Sequence, residues 1–368
     1  PFGATGDATD RGPTVARTST KLRDACARVR LVVKRLAEVA QKVGVSEATV
    51  SRVLNGKAGV ATATRDAVLT ALDVLGYERP TQLRGERARM VGLVLPELQN
   101  PIFPALAEVV GGGLAQLGFT PVLCTRTAGG LSEAEYVRML LEQQVSGVVF
   151  AGGAYAEANA SHEHFFQLHG RGVPVVLVNA AVEHLGFPAV STDDAVAVEQ
   201  AFAHLLSLGH RRIGIVLGPE DHMPSRRKLT AFQAAADAGG VAGEVTVERA
   251  MFAIEGGQAA GTRLLQHGVT GVICASDPLA LGVIRAIRRA RLDVPRDVSV
   301  VGFDDSAFMN CTDPPLTTVR QPIDAMGRAV VTLLANQIDG AAASDEELLF
   351  EPELVERSST GPAPRTAS

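Results

Sequence analysis

The chain has 368 residues, of which 46% are hydrophobic and 20% are charged, a composition that argues against wholesale disorder and supports two or three domains. No apolar stretch reaches the ~18–20 residues that a membrane span needs, and the start of the chain lacks the basic-then-apolar pattern of an export signal. The four cysteines lie far apart, so we expect neither a disulfide framework nor a zinc cluster, and a cytoplasmic protein fits best.

Charge is distributed unevenly along the chain. Residues 34–89 contain ten Lys or Arg and six Asp or Glu, a net charge of +4, and residues 1–33 carry +3. Residues 90–368 contain nineteen Lys or Arg and thirty-one Asp or Glu, a net charge of −12. A basic head on an acidic body indicates two functions, because phosphate backbones attract the head and repel the body. Chance clustering would give the same asymmetry, so charge alone does not decide.

The first ninety residues divide into three segments. Residues 1–33 show no sustained period and are interpreted as a disordered tail or an over-long start. Residues 34–78 predict compact short helices, with Gly44 ending the first and Ser46 capping a second that runs from Glu47 to Asn55. Residues 79–89 form a polar, basic hinge or linker.

From Met90 onward, short runs rich in Val and Ile alternate with amphipathic helical patterns. This alternation predicts an α/β fold in which two doubly wound parallel sheets are covered on both faces. Open sheets of this kind bind ligands beyond the carboxyl ends of their strands, so a ligand is expected in the cleft between two lobes. The predicted strands are 90–96, 120–125, 145–152, 173–179, 212–218, 271–276 and 298–305.

The lobes are expected to be built from discontinuous segments. Residues 90–180 with 309–338 are assigned to an N-terminal lobe. Residues 181–308 with 345–358 are assigned to a C-terminal lobe, and residues 359–368 to a tail.

The stretch LAEVAQKVGVSEATVSRVLNG, residues 36–56, has the spacing of a DNA-reading helix-turn-helix. One side of its second helix carries apolar residues that pack on the first helix, and the other side stays exposed. Arg52 on that exposed side is suited to a bidentate contact with a guanine edge. A helical hairpin that binds protein is the alternative. Ala48, Ser51 and Asn55 lie on the same exposed side, and the residues suited to hold phosphates are Ser46, Thr49 and Asn55.

These strings resemble the lac repressor (LacI/GalR) family of bacterial transcription factors. The resemblance covers nearly all of residues 34–358, including VGLVLPELQNPIFPALAEVV (91–110), HLLSLGHRRIGIVLG (204–218) and ASDPLALGVIRAIRRARLDVPRDVSVVGFDDS (275–306). VLGYERP and the Arg-Lys pair at 227–228 look most like actinobacterial maltose/α-glucoside regulators. The resemblance implies a helix-turn-helix head, two lobes similar to periplasmic binding proteins, and a homodimer on a near-palindromic operator.

The resemblance also implies roles for individual residues near DNA. The residues that would select bases are at the start of the recognition helix, Glu47 and Ala48, and one turn later, Ser51 and Arg52. A solvated acid at a helix start is an equal reading of Glu47. Family members carry a hinge in which a Leu wedges into the minor groove. Here Leu83 is the candidate wedge, but the hinge is about three residues shorter than usual and contains Gly85, so an ordinary linker residue is the alternative.

For the effector cleft, the resemblance implies a sugar site. Phe103 and Phe252 would stack on a sugar face, with Tyr155 as a further ring, while Lys228 stands where a hydroxyl-gripping Arg is common. Plain core packing, or a solvated lysine, is the alternative for these side chains. Asp193 and Asp194 are read mainly as turn and cap residues. The effector-binding set is Phe103, Asn179, Arg226, Lys228, Phe252, Ser276 and Asp304.

Motifs of enzymes are lacking. The sequence contains no G-x-x-x-x-G-K-[ST] loop, no H-E-x-x-H and no G-x-S-x-G elbow, and the triplet Gly111-Gly112-Gly113 fits close helix packing better than a nucleotide loop. We therefore predict no enzyme, no cofactor, no metal and no membrane partner. The expected function is a repressor of carbohydrate-use genes, released from operator DNA by a sugar or oligosaccharide. The alternative is a sugar-binding receptor or transport component without DNA function.

Overall fold

The structure is a computed structural model that describes residues 38–54, 60–74, 89–126, 129–181, 186–342 and 345–364. It divides into two compact units, a head that ends at Ala88 and a body that begins at Arg89. The predicted tail at 1–33, the connector from 79 to 88, Asn55 and Leu83 lie outside the described residues. None of the helices among the described residues is long and apolar enough to cross a membrane.

The head contains three described helices. Helix α1 covers residues 38–43 and ends at Gly44, whose φ of 74° is the left-handed geometry that glycine adopts without strain. Helices α2 (Glu47–Leu54) and α3 (Thr62–Val74) follow. The three helices pack through a small apolar core formed by Val39, Ala40, Val50, Val53, Val68 and Ala71.

The body is built on two six-stranded sheets. The first sheet has the order β11-β5-β4-β3-β1-β2 and is parallel throughout. Its strands are β1 (Met90–Leu95), β2 (Thr120–Thr125), β3 (Gly147–Phe150), β4 (Val175–Val178), β5 (Ala189–Thr192) and β11 (Glu347–Phe350). The helices of this N-terminal lobe are α4 (Ile102–Gln116), α5 (Glu133–Glu142), α6 (Glu163–Gly170) and α11 (Ile323–Ile338).

The second sheet repeats the pattern with the order β12-β10-β9-β8-β6-β7, in which only β12 is antiparallel. Its strands are β6 (Ile213–Leu217), β7 (Thr246–Arg249), β8 (Gly271–Cys274), β9 (Ser299–Asp304), β10 (Thr317–Arg320) and β12 (Glu353–Val355). The helices of this C-terminal lobe are α7 (Asp194–Ser207), α8 (Met223–Ala238), α9 (Ile254–Gln266) and α10 (Asp277–Arg289).

The sheet memberships correct the predicted lobe boundaries. Strand β5 belongs to the N-terminal lobe although the boundary was expected at residue 181, and β10 belongs to the C-terminal lobe although 309–338 was assigned to the other. The segment 345–358 is shared, because β11 joins the first sheet and β12 the second. The chain crosses between lobes directly after a strand, where no Gly- or Pro-rich boundary marks the crossing.

The predicted tail at 359–368 is also wrong over its described part. Ser359 is fully buried, its hydroxyl accepts from the amide of Thr317 at 2.8 Å, and that hydroxyl also donates to the carbonyl of Val300 at 2.6 Å. The amide of Ala363 donates to the carbonyl of Leu208 at 2.8 Å. This segment is therefore integral to the C-terminal lobe, held by hydrogen bonds of a serine hydroxyl and of the main chain that an irregular sequence does not reveal.

The glycine triplet at 111–113 lies inside α4, as predicted. A Cβ at Gly113 would lie 3.0 Å from Val331 on α11, so the small residue permits the close packing of these two helices. The triplet therefore has a packing role.

Replacing Gly282 by Ala should lower the stability of the body by about 1–3 kcal/mol or more. A Cβ at Gly282 on α10 would lie 2.1 Å from the carbonyl oxygen of Ile254, and a backbone atom cannot rotate away. Gly112→Ala is the matched control, since a Cβ at that position on α4 would meet nothing within 4 Å; there Ala should stabilise by about 0.5–1 kcal/mol. Urea unfolding measures the stability of both variants. Equal unfolding midpoints would contradict the close packing of α10 on α9 at Gly282.

Candidate functional site

The recognition surface of the head is the exposed side of α2. Ser46 caps this helix, because its hydroxyl accepts from the amide of Thr49 at 3.1 Å. Val50 and Val53 face the core as predicted. Ser46, Glu47, Ala48 and Arg52 are exposed, whereas Thr49 and Ser51 are half-buried. The surface therefore presents Arg52 as a cation on the same helix whose N-terminus Ser46 caps.

A cavity of about 400 Å³ lies between the two lobes of the body. Its walls are formed where strands end, which is the position expected for ligands of doubly wound sheets. Residues that follow β1, β3 and β4 meet residues that follow β6 and β8 across it. A volume of this size is typical of a small-molecule site.

Asp304 is a buried carboxylate of the cavity wall and lies at the end of β9. One carboxylate oxygen accepts from the side-chain amide of Asn100 at 2.9 Å, and the other accepts from that of Gln321 at 2.7 Å. Asn100 belongs to the N-terminal lobe, so its bond to Asp304 joins the lobes. Burial raises the pKa of Asp304, and these two hydrogen bonds oppose the rise. Its φ of 122° is rarely adopted by side-chain-bearing residues, as at many functional sites.

A second carboxylate lies behind the first. Asp277, at the start of α10, is fully buried and accepts from the hydroxyl of Thr318 at 2.6 Å and from the amide of Ser306 at 2.8 Å. Burial, reinforced by the charge of Asp304, raises the pKa of Asp277. The pair thus places two acceptor groups at the carboxyl edge of the second sheet.

Lys228 is the buried cation of the described cavity wall. Its Nζ donates to Oδ1 of Asp194 and lies 3.9 Å from the ring centroid of Phe303. The side chains of Lys228 and Asp194 are only 6% and 7% exposed. Burial raises the pKa of Asp194, and the ammonium group of Lys228 works against that rise. The neighbouring Arg227 makes a bidentate ion pair with Glu347 of the other lobe, with both distances 2.8 Å.

Most of the predicted effector residues lie on this cavity. Phe103 and Phe252 are half-buried and line it, as do Asn179 and Ser276. Asn179 follows β4 with a φ of 67°, and its side-chain amide donates to Gln321 at 3.2 Å. The hydroxyl of Ser276 caps α10. The lining therefore combines aromatic rings with converging hydrogen-bonding groups.

Two predicted residues do not lie there. Arg226 is exposed and is not part of the cavity wall, because the turn of α8 that directs Lys228 inward directs Arg226 outward. Tyr155 is fully buried, and its hydroxyl lies within hydrogen-bond distance of the carbonyls of Phe150 and Val178 and accepts from the amide of Gly152 at 2.5 Å. That tyrosine is a core residue and presents no stacking face to a ligand.

Several side chains that line the cavity were not predicted from the sequence. Asp194 was read as a turn residue; its neighbour Asp193 does cap α7, by accepting from two amides. Gln321 follows β10, a strand that was not predicted, so its position at a carboxyl edge was hidden. Phe303 precedes Asp304 directly at the end of a strand that was predicted. The lining residues outside the predicted effector-binding set include Asp194, His222, Phe303 and Gln321.

Comparison with known proteins agrees with both units. Residues 35–80 match the family described as bacterial regulatory proteins, lacI family, and residues 202–360 match the periplasmic binding protein-like domain. The chain is 50% identical over 335 residues to the HTH-type transcriptional regulator MalR of Streptomyces coelicolor. This alignment covers 90% of the chain and 97% of that relative.

Solved structures show the same architecture. The transcriptional regulator CelR–cellobiose complex has a TM-score of 0.65 and 32% identity, covering 88% of this chain and 99% of that one. The lac repressor dimer bound to operator and the anti-inducer ONPF has a TM-score of 0.66 and 26% identity, covering 88% and 98%. The match of the head overturns the alternative of a transport component without DNA function. The chain belongs to the lacI family of bacterial regulatory proteins and is a DNA-binding transcriptional regulator, not an enzyme.

Proposed function

We propose that the protein represses carbohydrate-use genes by binding a near-palindromic operator as a homodimer and that a maltose-type sugar or oligosaccharide in the interlobe cavity releases it. It acts in the cytoplasm, at the nucleoid. The observation that carries the ligand class is the cavity wall, in which Asp304, Asn179 and Lys228 converge beside Phe103 and Phe252. Vicinal hydroxyls need paired acceptors and donors, and the C–H face of a sugar needs an aromatic ring.

The relatives agree with this class of ligand. MalR shares half of its residues with this chain, and the CelR structure contains cellobiose. Release from DNA requires a coupling free energy between the two sites, typically ~1–3 kcal/mol, which would change operator affinity roughly 5–150-fold.

The proposal is tested by mobility-shift titration of the full chain on its own promoter region, with and without maltose and related disaccharides. We expect a specific shift that maltose weakens. A thermal-shift screen provides the second readout, since a ligand at 100 times its Kd adds ~2.7 kcal/mol of apparent stability. A protein that never shifts DNA, or that no sugar stabilises, would overturn the proposal.

Replacing Arg52 by Ala should cost about 1–3 kcal/mol of operator binding and relax the preference at one base position. The guanidinium is exposed on α2 and is suited to the two acceptors of guanine. Titration against the operator and its single-base variants measures this. Lys42→Ala, at an exposed position on α1, is the control for a lost positive charge and should leave base preference unchanged. Equal weakening by Arg52→Ala on all DNA would instead make Arg52 a phosphate contact.

A further inference from the structure

The described wall of the interlobe cavity carries more carboxyl groups than cations. Glu97, Glu157, Asp194 and Asp304 line it, against Arg126 and Lys228. His222 adds no charge at neutral pH, because burial lowers its pKa to about 4. An excess of carboxylates repels anions and leaves neutral ligands unaffected.

The buried ammonium group is not available to an anionic ligand. Lys228 donates to Asp194 and lies over the ring of Phe303, and almost none of its side chain is exposed. An anionic ligand that took Lys228 as its partner would leave the Asp194 carboxylate buried without a counter-charge, which is strongly unfavourable. Arg126, the other cation of the wall, is exposed. Its charge acts on the Glu97 carboxylate, because it opposes the rise that burial causes in the pKa of Glu97.

The Asp304 carboxylate disfavours anions too. Both oxygens of Asp304 already accept hydrogen bonds from Asn100 and Gln321, and the carboxylate faces the cavity within the same wall as Asp194. A phosphate group beside it would place like charges together next to a buried carboxylate, where Coulomb repulsion is screened less than at an exposed site.

We propose that this cavity accepts uncharged sugars and rejects anionic ones such as sugar phosphates, and that Asp194 sets this preference by neutralising Lys228. The inference deepens the proposed function and rests on it, since it presumes that the cavity binds a sugar. Asp194 is thereby a specificity-determining residue that acts on the ligand through Lys228.

The test compares maltose with maltose 1-phosphate, which share one sugar and differ in charge, by calorimetric titration of the full chain at pH 7.5. The wild-type protein should bind maltose at least about tenfold more tightly than the phosphate. Asp194→Asn should reduce this ratio by about tenfold, because the ammonium group becomes free to pair with the phosphate. Asp193→Asn is the matched control, since Asp193 caps the same helix outside the cavity and Asn caps equally well.

A second variant keeps the proposal testable if Asp194→Asn does not fold. Glu97→Gln removes a half-buried carboxylate from the wall and should raise the relative affinity for the phosphate a few-fold. Equal wild-type affinities for maltose and its phosphate, or a ratio unchanged in both Asp194→Asn and Glu97→Gln, would overturn the charge preference alone. A protein that binds no uncharged sugar in the wider screen would overturn the proposed function itself.

Discussion

Replacing Asp304 by Ala should make the repressor insensitive to its sugar and lower the stability of the body by about 2–6 kcal/mol. The carboxylate is the shared acceptor of two buried amide groups, those of Asn100 and Gln321. Its removal leaves both donors unsatisfied, and each such group costs about 1–3 kcal/mol. Ligand hydroxyls lose their acceptor at the same time. Urea unfolding and mobility-shift titration with maltose measure the two effects.

The matched control for this variant is the next residue. Asp305 accepts from Arg320 at 2.7 Å and from Arg357 at 2.6 Å and does not line the cavity. Asp305→Asn should therefore reduce stability while leaving the sugar response intact. An Asp304→Ala protein that still releases DNA at the wild-type maltose concentration would show that the carboxylate does not contact the ligand.

Most strands buried on both faces were predicted from the sequence, although the inner strands β5 and β10 were missed, and β2 was the one edge strand predicted among those the structure describes. The seven predicted runs correspond to β1, β2, β3, β4, β6, β8 and β9, with ends shifted by up to two residues. Strand β7 (TVER) and strand β11 (ELLF) lie at sheet edges with half-exposed residues, so their sequences lack a continuous apolar run. Strand β5 has only four residues, AVST, and ends in two hydroxyl side chains.

Some residues of the cavity could be predicted from the sequence, and others could not. Asp304 and Ser276 lie at the ends of strands that were predicted, and both line the cavity. Gln321 follows a missed strand. Asp194 pairs with a side chain 34 positions away, and no local pattern encodes such a pairing. Arg226 was misplaced because the resemblance locates a position on the helix only to within one residue. The side chains of adjacent helical positions point about 100° apart.

Replacing Lys228 by Ala should lower the stability of the body by about 3–5 kcal/mol, because it leaves the Asp194 carboxylate buried without its partner. The ammonium group of the lysine also lies over the ring of Phe303, and this cation–π contact is lost as well. The double variant Lys228→Met, Asp194→Leu should recover most of the loss, since an apolar pair of similar volume removes both desolvation penalties. Urea unfolding of Lys228→Met, Asp194→Leu and the double variant, beside Lys228→Ala, completes the cycle.

An exposed ion pair on the same lobe provides the comparison. Arg296 and Asp293 lie 3.7 Å apart with side chains 74% and 51% exposed, and such pairs are worth at most about 1 kcal/mol because water and salt screen them. Arg296→Ala should therefore change the unfolding midpoint little. If Lys228→Ala were equally mild, water must reach Asp194 in the folded body. The cavity wall would then be too well hydrated for Asp194 to govern which ligands Lys228 can bind, so this stability cycle also constrains the proposed selection against anions.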